Sequence, residues 1–418
     1  MGLGLKTAVS RNADAPLRIL VVQETDWIER YPILHHRMLE TLSVRGDDVT
    51  VLDYEIHWGR TGRLPIWQAR RVWENTAKLV PGARVTVIRP AMARIPGVAR
   101  VSWLLTSWLE LRRYVRAGEP DVIVAYGISN SFLARILARR RHIPFVFHLF
   151  DSLHALAEPV ALRPLAKRVE TAVLRSADCV VIPYRALRGY LAARGVRDDR
   201  VVSIPNGMTP RASDPALRAH IRQRLGIAED EVVLLFMGWL YRHSGLVQLA
   251  TELAKNDPRH AKFKLVVVGG GDLAPELERI QRTRGLGDRL ILTGRRPVGE
   301  MPGFIAASDV CLLPSTPDAA MQYVVPTKVD EYLELGRPVV ASRLEGMRAE
   351  FGDMPGIIWV DRPSDVLHVL DGVVRQPAGS SEGLVARAAA AARYAAGRAD
   401  WDTVISQFRA VLAEAAAR

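Results

Sequence analysis

A lysine and a glutamate stand three residues apart in a stretch that predicts a short helix, VVPTKVDEYLELGRPVVAS from Val324 to Ser342. A helix start offers unpaired N–H groups and the positive end of the helix dipole, so a lysine there would help to attract a phosphate. A glutamate one turn further along lies on the same face and can accept two hydrogen bonds from the hydroxyls of a ribose. Lys328 and Glu331 therefore have the types and the spacing that a nucleotide site requires.

Signals on either side of this pair define the helix that must hold it. Thr327 followed by Asp330 fits a capping box, and Gly336 followed by Pro338 predicts the end of the helix. The residues after Pro338 predict a buried strand. An ordinary capped surface helix carries the same signals, and from this helix alone the two interpretations are evenly balanced.

The same stretch resembles the nucleotide-sugar helix of family 4 retaining glycosyltransferases, in the branch with a P-x-K-x-x-E-Y pattern. The matching residues are Pro326, Lys328, Glu331 and Tyr332. The resemblance implies that Glu331 holds the ribose of the sugar donor. It covers nearly all of the second half of the chain and, more loosely, the first half.

Short apolar runs alternate with amphipathic stretches along the chain, which predicts an α/β protein with doubly wound parallel sheets. The resemblance implies the GT-B fold, in which two Rossmann-like domains face a cleft. We expect a loose tail over residues 1–15 and an acceptor-binding domain over 16–205. A nucleotide-sugar-binding domain is expected over 206–395, and a terminal helix over 396–418 that crosses back to the first domain.

Loops that follow predicted strands of the second domain supply further candidates for donor binding. The segment from Gly238 to Gly245 departs from the usual family form, because Trp239 and Ser244 replace the two cations that grip the diphosphate. Arg242 is the candidate replacement, and it joins Lys328 as a catalytic candidate. The other donor-binding candidates are Gly238, Gly270, Gly271, Arg295, Tyr323, Val325 and Thr327, besides Glu331.

A histidine and an aspartate follow the strand predicted at Pro144 to His148 in the first domain. A histidine with a carboxylate close by can act as a positioned proton acceptor. The resemblance implies a functionally important histidine or aspartate at this place, so His148 and Asp151 are both catalytic candidates. His154 is a further one.

The loop from Gln23 to Pro32 follows the first predicted strand, and open α/β sheets bind ligands at the carboxyl ends of their strands. The candidates for acceptor binding are Trp27, Arg30 and Tyr31 in this loop, together with Tyr126 after a later strand. An alternative is that Trp27 and Tyr31 only pack the loop, and this alternative is slightly favoured.

Composition narrows the classes of partner. The chain has 418 residues, a formal net charge of +12 and two cysteines, and 49% of its residues are hydrophobic. The charge favours an anionic partner, but the low aromatic content of 7% and the lack of a nucleic-acid motif argue against nucleic acid. No apolar run is long enough to span a membrane, and both cysteines lie in apolar runs. We therefore expect a cytoplasmic protein with buried thiols.

Two stretches, Leu64 to Val80 and Val101 to Arg116, predict amphipathic helices that carry tryptophans and arginines. Helices of this kind can lie on an anionic membrane surface. In the alternative interpretation the tryptophans face the core and the arginines face water, as in most amphipathic helices. The alternative is favoured, and a peripheral membrane contact stays open.

The resemblance implies transfer of a sugar from a nucleoside diphosphate, linked to UDP or GDP, with retained anomeric configuration and without a cofactor or a metal. Helix N–H groups, Lys328 and Arg242 would stabilise the leaving diphosphate in place of a divalent cation. A lipid-linked or envelope glycan is the first choice of acceptor, and a soluble small molecule is the second. Three alternatives stay open: a nucleotide-sugar 2-epimerase, a nucleotide-binding partner without turnover, and a membrane-surface scaffold.

Overall fold

The computed structural model describes residues 15–29, 32–55, 65–157, 160–211, 214–316, 322–377 and 379–418. The chain divides into two compact units. Unit 1 comprises the residues up to Pro183 together with Leu187–Pro205 and Asp402–Arg418, and unit 2 comprises Tyr184–Ala186 and Asn206–Trp401.

Sixteen strands occur in the described residues. They are β1 (Arg18–Val22), β2 (Asp48–Leu52), β3 (Trp67–Gln68), β4 (Arg71–Thr76), β5 (Val85–Arg89), β6 (Met92–Ala93), β7 (Val122–Ala125), β8 (Phe145–His148), β9 (Cys179–Ile182), β10 (Val201–Ser203), β11 (Val232–Met237), β12 (Phe263–Val268), β13 (Leu290–Gly294), β14 (Val310–Leu313), β15 (Val339–Ser342) and β16 (Ile357–Val360).

Fourteen α-helices occur in the same part of the chain. They are α1 (Leu34–Val44), α2 (Ala99–Ala117), α3 (Ser129–Arg141), α4 (Arg163–Ser176), α5 (Ala186–Ala192), α6 (Pro215–Arg224), α7 (Leu246–Leu253), α8 (Ala274–Thr283), α9 (Met301–Ala307), α10 (Lys328–Glu334), α11 (Glu345–Phe351), α12 (Val366–Val374), α13 (Leu384–Ala396) and α14 (Trp401–Ala417).

Unit 1 is built on an eight-stranded sheet in the order β10-β9-β8-β7-β1-β2-β5-β4. Its strands are parallel except for β4, which pairs antiparallel with β5 at the edge. Ile19 of β1 pairs with Val49 of β2 on one side and with Val122 of β7 on the other. The chain therefore reverses its direction of winding between β1 and β7, which is where such sheets place ligands.

The stretch from Leu64 to Val80 is not a helix, so that prediction was wrong. Its described part forms β3, which pairs with β6, and β4, which forms a hairpin with β5. The turn after β4 contains Pro81 and Gly82, and Gly82 has a φ of 82°. Proline and a left-handed residue both end a helix, so these two residues favour the hairpin. The second stretch does form a helix, α2.

Unit 2 is built on a six-stranded parallel sheet in the order β13-β12-β11-β14-β15-β16. Alternate residues of β11 face two cores, with Val233 and Leu235 on one side of the sheet and Leu234 and Phe236 on the other. The winding reverses between β11 and β14. The predicted α/β class with parallel Rossmann-like sheets in both halves is confirmed.

Two further expectations concern the cysteines and membrane-spanning helices. Cys179 and Cys311 are free thiols in β9 and β14, half-buried and buried respectively. No helix among the described residues is both long and apolar enough to cross a membrane.

Candidate functional site

Helix α10 carries the two residues with which the sequence prediction began. It is seven residues long and starts at Lys328. Tyr332, on its buried side, accepts a hydrogen bond at its hydroxyl from the backbone N–H of Met237 at 3.1 Å. Because Met237 is the last residue of β11, this bond fixes the helix beside the carboxyl end of that strand. Gly336 follows the helix with a φ of 64°, as its predicted end requires.

The predicted capping box is wrong. Thr327 has helical torsion angles, φ −56° and ψ −25°, and its side chain makes no capping hydrogen bond. Asp330 instead turns inward, where it accepts hydrogen bonds from Asn206 Nδ2 at 2.8 Å and from the Tyr184 hydroxyl at 3.3 Å. Burial raises the pKa of Asp330 to about 7, against the lowering effect of Asn206 and Arg398. This carboxyl therefore ties α10 to two segments where the chain passes from one unit to the other.

Lys328 lies where a phosphate-binding cation would be needed. Its Nζ is 4.2 Å from the centroid of the Phe236 ring in β11. A Cβ added to Gly238 would come within 2.9 Å of the same atom, so Nζ is next to the backbone that follows the strand. Burial lowers the pKa of Lys328 to about 8, while Glu331 raises it. The amine is still mostly protonated at pH 7.

Glu331 lies one turn further along α10, and its side chain is exposed. Its pKa is raised above the usual range because neighbouring protein atoms desolvate the carboxyl and because Glu334 adds a like charge. Lys328 opposes this effect by lowering the pKa of Glu331. A ligand hydroxyl that reached the carboxyl would therefore meet an acceptor that water only partly solvates.

Glycine loops after β11, β12 and β13 pack against one another next to Lys328. A Cβ on Gly269, which has a φ of 144°, would lie 1.9 Å from the carbonyl oxygen of Gly238, so no side chain fits there. The N–H of Leu240 donates to Gly270 O at 3.1 Å, and that of Gly269 donates to Gly294 O at 2.9 Å. The loops are therefore held together by main-chain contacts that only glycine permits.

The structure brings several predicted donor-binding residues together at these loops. Gly270 and Gly271 are partly exposed in the loop after β12. The side chain of Arg295 packs against Gly270, and its guanidinium lies 4.9 Å from the centroid of the Trp239 ring. Trp239 replaces a cation of the usual family pattern. Its ring instead makes a cation–π contact with Arg295.

The loop after β11 also contacts the loop after β14, where the winding of the sheet reverses. The N–H of Thr316 donates to His243 O at 2.8 Å, and a Cβ on Gly245 would lie 1.8 Å from Pro314 O. Arg242 is exposed in this loop and makes no ion pair with another described residue. Ser244 is buried, and its hydroxyl has no hydrogen-bond partner among the described residues.

The remaining donor-binding candidates of unit 2 are less favourable. Val325 is 3% exposed and belongs to the hydrophobic core, so its side chain is not available to a ligand. Tyr323 is partly exposed, and its backbone packs against Gly346. Thr327 is exposed at the start of α10.

In unit 1, His148 ends β8 inside a cluster of aromatic rings. Its Nδ1 is 3.3 Å from the hydroxyl of Tyr126, and its ring packs against Phe150 and Phe408. Burial lowers the pKa of His148 to about 3. The imidazole is therefore neutral at physiological pH, and it is a much weaker base than the sequence prediction assumed.

This cluster includes a second histidine, which was not predicted from the sequence. The ring of His35, in the first turn of α1, lies 3.8 Å from the ring of Tyr126 and 5.0 Å from that of Phe150. His35 is partly exposed, whereas Tyr126 and His148 are buried. The available signal was its position shortly after the loop that follows β1.

The acceptor-binding prediction for Trp27 is not supported, because its side chain is fully buried. The ring packs on His36 with centroids 4.0 Å apart, and the backbone N–H donates to Asp53 at 2.8 Å. Asp26 of this loop and Asp53 both form ion pairs with Arg89, which holds the loop against the end of β5. Trp27 thus packs the loop, which was the favoured alternative. Arg30 and Tyr31 lie outside the described residues.

Two other acidic residues of unit 1 lie close to the carboxyl ends of its strands. Asp151 is partly buried after β8. Glu24 follows β1 and accepts hydrogen bonds from the backbone N–H groups of Ser129 and Asn130, the latter at 3.1 Å. Arg100 pairs with the same carboxylate. The N-terminus of α3 is therefore occupied by the chain's own Glu24, which the sequence did not suggest.

Two protein-family models match this chain, one in each half. A model described as "Glycosyl transferase 4-like domain" matches residues 35–207, and one described as "Glycosyl transferases group 1" matches residues 231–373. Both models describe glycosyltransferase domains, which supports a glycosyltransferase. The two matches cover most of unit 1 and most of unit 2 respectively.

The names of curated relatives describe different sugar transfers. An alpha-D-kanosaminyltransferase of Streptomyces kanamyceticus is 24% identical over 59% of this chain and 64% of its own length. A D-inositol 3-phosphate glycosyltransferase of Acidothermus cellulolyticus is 28% identical over 58% of this chain and 57% of its own length. The chain thus spans less than two thirds of these two relatives. A 2-deoxystreptamine glucosyltransferase of Streptomyces kanamyceticus is 26% identical over 74% and 79%.

Solved structures match over nearly the whole chain. Anabaena Alr3699/HepE in complex with UDP has a TM-score of 0.70 and 18% identity, and the match covers 95% of this chain and 100% of that one. WaaG, a glycosyltransferase involved in lipopolysaccharide biosynthesis, has a TM-score of 0.63 and 17% identity over 94% and 99%. At these identities the likeness concerns the fold, and it confirms the GT-B class.

Proposed function

We propose that this protein is a retaining glycosyltransferase that moves a sugar from a UDP- or GDP-linked donor to a lipid-linked or envelope glycan. The observation that supports this most is the position of Lys328 Nζ beside Gly238, where the glycine loops after β11, β12 and β13 meet. Exposed main chain, a protonated amine and the nearby Arg295 suit a diphosphate. The site also lies near the reversal of the sheet, where ligands of this fold class bind.

The chemical task is to stabilise the diphosphate as its bond to the sugar breaks and negative charge accumulates on it. Lys328 is held in place by its contact with Phe236, so its charge needs no reorganisation during the reaction. Arg242, exposed on the neighbouring loop, supplies a second cation. With two cations at the phosphates, the reaction has no need of a metal.

The ribose of the donor is assigned to Glu331. Its carboxylate can accept hydrogen bonds from both hydroxyls of a vicinal diol. Because Glu331 is one turn beyond Lys328, the helix separates the phosphate contact from the ribose contact.

Retention of configuration is proposed to follow from attack on the face of the sugar that the diphosphate leaves. The acceptor hydroxyl forms the new glycosidic bond, the bond to the diphosphate breaks, and the leaving phosphate takes the proton of the hydroxyl. His148 is neutral, so it can accept a hydrogen bond from the acceptor without carrying charge. Asp151, Tyr126, Arg30 and Tyr31 remain candidates for acceptor binding in unit 1.

A soluble aminocyclitol is a second candidate acceptor. It is favoured by one curated relative, a 2-deoxystreptamine glucosyltransferase, whose name contains an aminocyclitol. A lipid-linked acceptor is favoured by an exposed apolar surface on unit 1, described in the next subsection.

A donor screen tests the proposal. The protein is incubated with a panel of UDP- and GDP-sugars, and released nucleotide and sugar are quantified. Slow hydrolysis of one donor, lost in Lys328→Met, is the expected result. An epimerised sugar would identify a 2-epimerase, and binding without turnover would identify a nucleotide-binding partner. Mass spectrometry of products formed in cell extract with the accepted donor then distinguishes the two classes of acceptor.

A further inference from the structure

Helix α2 exposes a row of apolar side chains. Val101, Leu105 and Leu109 recur every four residues, which places them on one face of the helix. They are 57%, 64% and 51% exposed, and Val98, just before the helix, is 46% exposed. Four large aliphatic side chains in one row form a contiguous exposed patch, which marks an interaction surface in most proteins.

The patch continues onto the short β3–β6 pair. Ile66 and Trp67 are 67% and 57% exposed. The backbone N–H of Ala93 in β6 donates to Ser102 Oγ of α2 at 3.0 Å, and β6 pairs with β3 through Ala93 and Trp67. Trp67 therefore extends the row on α2, and we call Ile66, Trp67, Val98, Val101, Leu105 and Leu109 the α2 surface.

Positive charge follows this surface along the helix. Arg112 and Arg116 are exposed in the last turns of α2, and neither has a carboxylate partner among the described residues. Glu110 is the only acidic residue in the sequence of α2. It is buried, and it pairs with Arg113 at 2.7 Å and with Arg70 at 2.9 Å. The exposed charge along this helix is thus exclusively cationic.

Neighbouring α3 adds to the same charge. It ends in three exposed arginines, Arg139, Arg140 and Arg141, of which the last pairs with Glu119 at 3.2 Å. Helix α2 precedes β7 and helix α3 precedes β8. Because these two strands are parallel, the C-terminal ends of both helices lie at the same end of the sheet, where the strands begin. An apolar row beside a cationic edge is complementary to a bilayer of anionic lipid.

Of the tryptophans that suggested a membrane contact from the sequence, Trp67 is exposed, whereas the two in α2 are not. Trp103 is 1% exposed, and its indole N–H donates to Asp53 O at 3.1 Å. Trp108 is partly buried, with Arg112 over its ring. The aliphatic row and Trp67 provide the apolar contact instead.

We infer that the α2 surface docks unit 1 peripherally on an anionic membrane, with Val101, Leu105, Leu109 and Trp67 in the headgroup region and Arg112 and Arg116 on the lipid phosphates. The inference is independent of the sugar donor. It is consistent with an acceptor that is anchored in lipid.

Vesicle flotation tests this inference with the full chain. Vesicles of phosphatidylcholine with phosphatidylglycerol should bind the protein at low salt and release it at high salt, since the Debye length falls from about 10 Å at 0.1 M to about 3 Å at 1 M. Leu105→Glu with Leu109→Glu should abolish binding. Val385→Glu, at a position 83% exposed in unit 2, is the control and should bind like the wild type.

The charge contribution has its own variant pair. Arg112→Gln with Arg116→Gln should weaken binding about 30-fold, because each arginine near an anionic surface contributes about 1 kcal/mol. Arg282→Gln with Arg284→Gln removes the same charge from exposed positions of unit 2 and should have no effect. Quenching of tryptophan fluorescence by brominated lipid should decrease in Trp67→Phe.

Three results would overturn the inference. They are equal binding to pure phosphatidylcholine vesicles, no binding to either kind of vesicle, and unchanged binding by the Leu105 and Leu109 variant. A dimer in light scattering that the same variant dissociates would assign the α2 surface to a second copy of the chain. Thermal unfolding of each variant shows that it is folded before binding is compared.

Discussion

Replacing Lys328 by methionine is expected to stabilise the protein while weakening its binding of diphosphate. Burial lowers the pKa of this lysine from 10.5 to about 8. At 1.36 kcal/mol per pKa unit, the charged amine costs the folded state roughly 3 kcal/mol at pH 7. Methionine removes that cost and keeps a contact with Phe236, but it forfeits the cation–π interaction, worth about 0.5–2 kcal/mol. A net gain of about 1–2 kcal/mol in the free energy of unfolding is expected.

The pH dependence follows from the sign of the shift. Because the folded pKa lies below the unfolded one, the folded state binds fewer protons, and the wild type gains stability as pH rises from about 8 to 10.5. The advantage of Lys328→Met should therefore be complete below pH 8 and disappear near pH 10.5. Lys262→Met is the control, since this lysine is 65% exposed and should show no such gain.

Two assays decide the case. Urea unfolding of wild type and variants at neutral and alkaline pH measures the stability difference. Calorimetry with uridine and UDP measures binding, and Lys328→Met should weaken UDP binding about 10- to 150-fold, the worth of a charged hydrogen bond, without changing the binding of uridine. A variant less stable than wild type at pH 7, or a difference that does not change with pH, would refute the burial argument. Equal losses for uridine and UDP would show that Lys328 does not act on phosphate.

Three further predictions concern the remaining parts of the site. Glu331→Ala should weaken the binding of uridine, UMP and UDP alike by about 10- to 150-fold, because all three carry the ribose. Calorimetry that shows a loss for UDP alone would contradict the ribose assignment. Turnover should persist in excess EDTA, and activity that magnesium or manganese restores after chelation would reject the metal-free mechanism. His148→Ala should reduce turnover by about 2- to 10-fold with little change in UDP affinity, because it removes one neutral hydrogen bond in unit 1. A parallel loss of UDP affinity would identify a different role.

Most central strands of the two sheets were predictable because each is a short apolar run that local rules recognise. The strand predicted at Pro144 to His148, for example, is β8, which spans Phe145–His148. The stretch from 64 to 80 was misassigned because an edge strand buries few of its side chains. Only Trp73 and Thr76 of β4 are even partly buried, so the strand lacks a clear alternation of apolar and polar residues.

Candidate residues could be predicted where the type of the side chain alone suits a ligand. They could not be predicted where contacts with residues distant in sequence change the side chain's environment. Lys328 lies beside the glycine loop after β11, as the pattern together with the family resemblance predicted. The inward turn of Asp330 could not, because its partners Asn206 and Tyr184 are more than a hundred residues away in sequence. The low pKa of His148 and the contact of His35 with Tyr126 likewise depend on packing between separate elements.

The carboxylate of Glu24 occupies the N-terminus of α3 in unit 1. It competes there with any anionic ligand for the same N–H groups. It is tethered next to the N–H groups that it binds, so its effective concentration there is roughly millimolar or higher. A phosphate would have to displace it and also take over its partner Arg100. Neutral and cationic ligands face no such competition. Unit 1 therefore discriminates against anions at the N-terminus of α3, whereas unit 2 exposes main chain and cations beside Lys328.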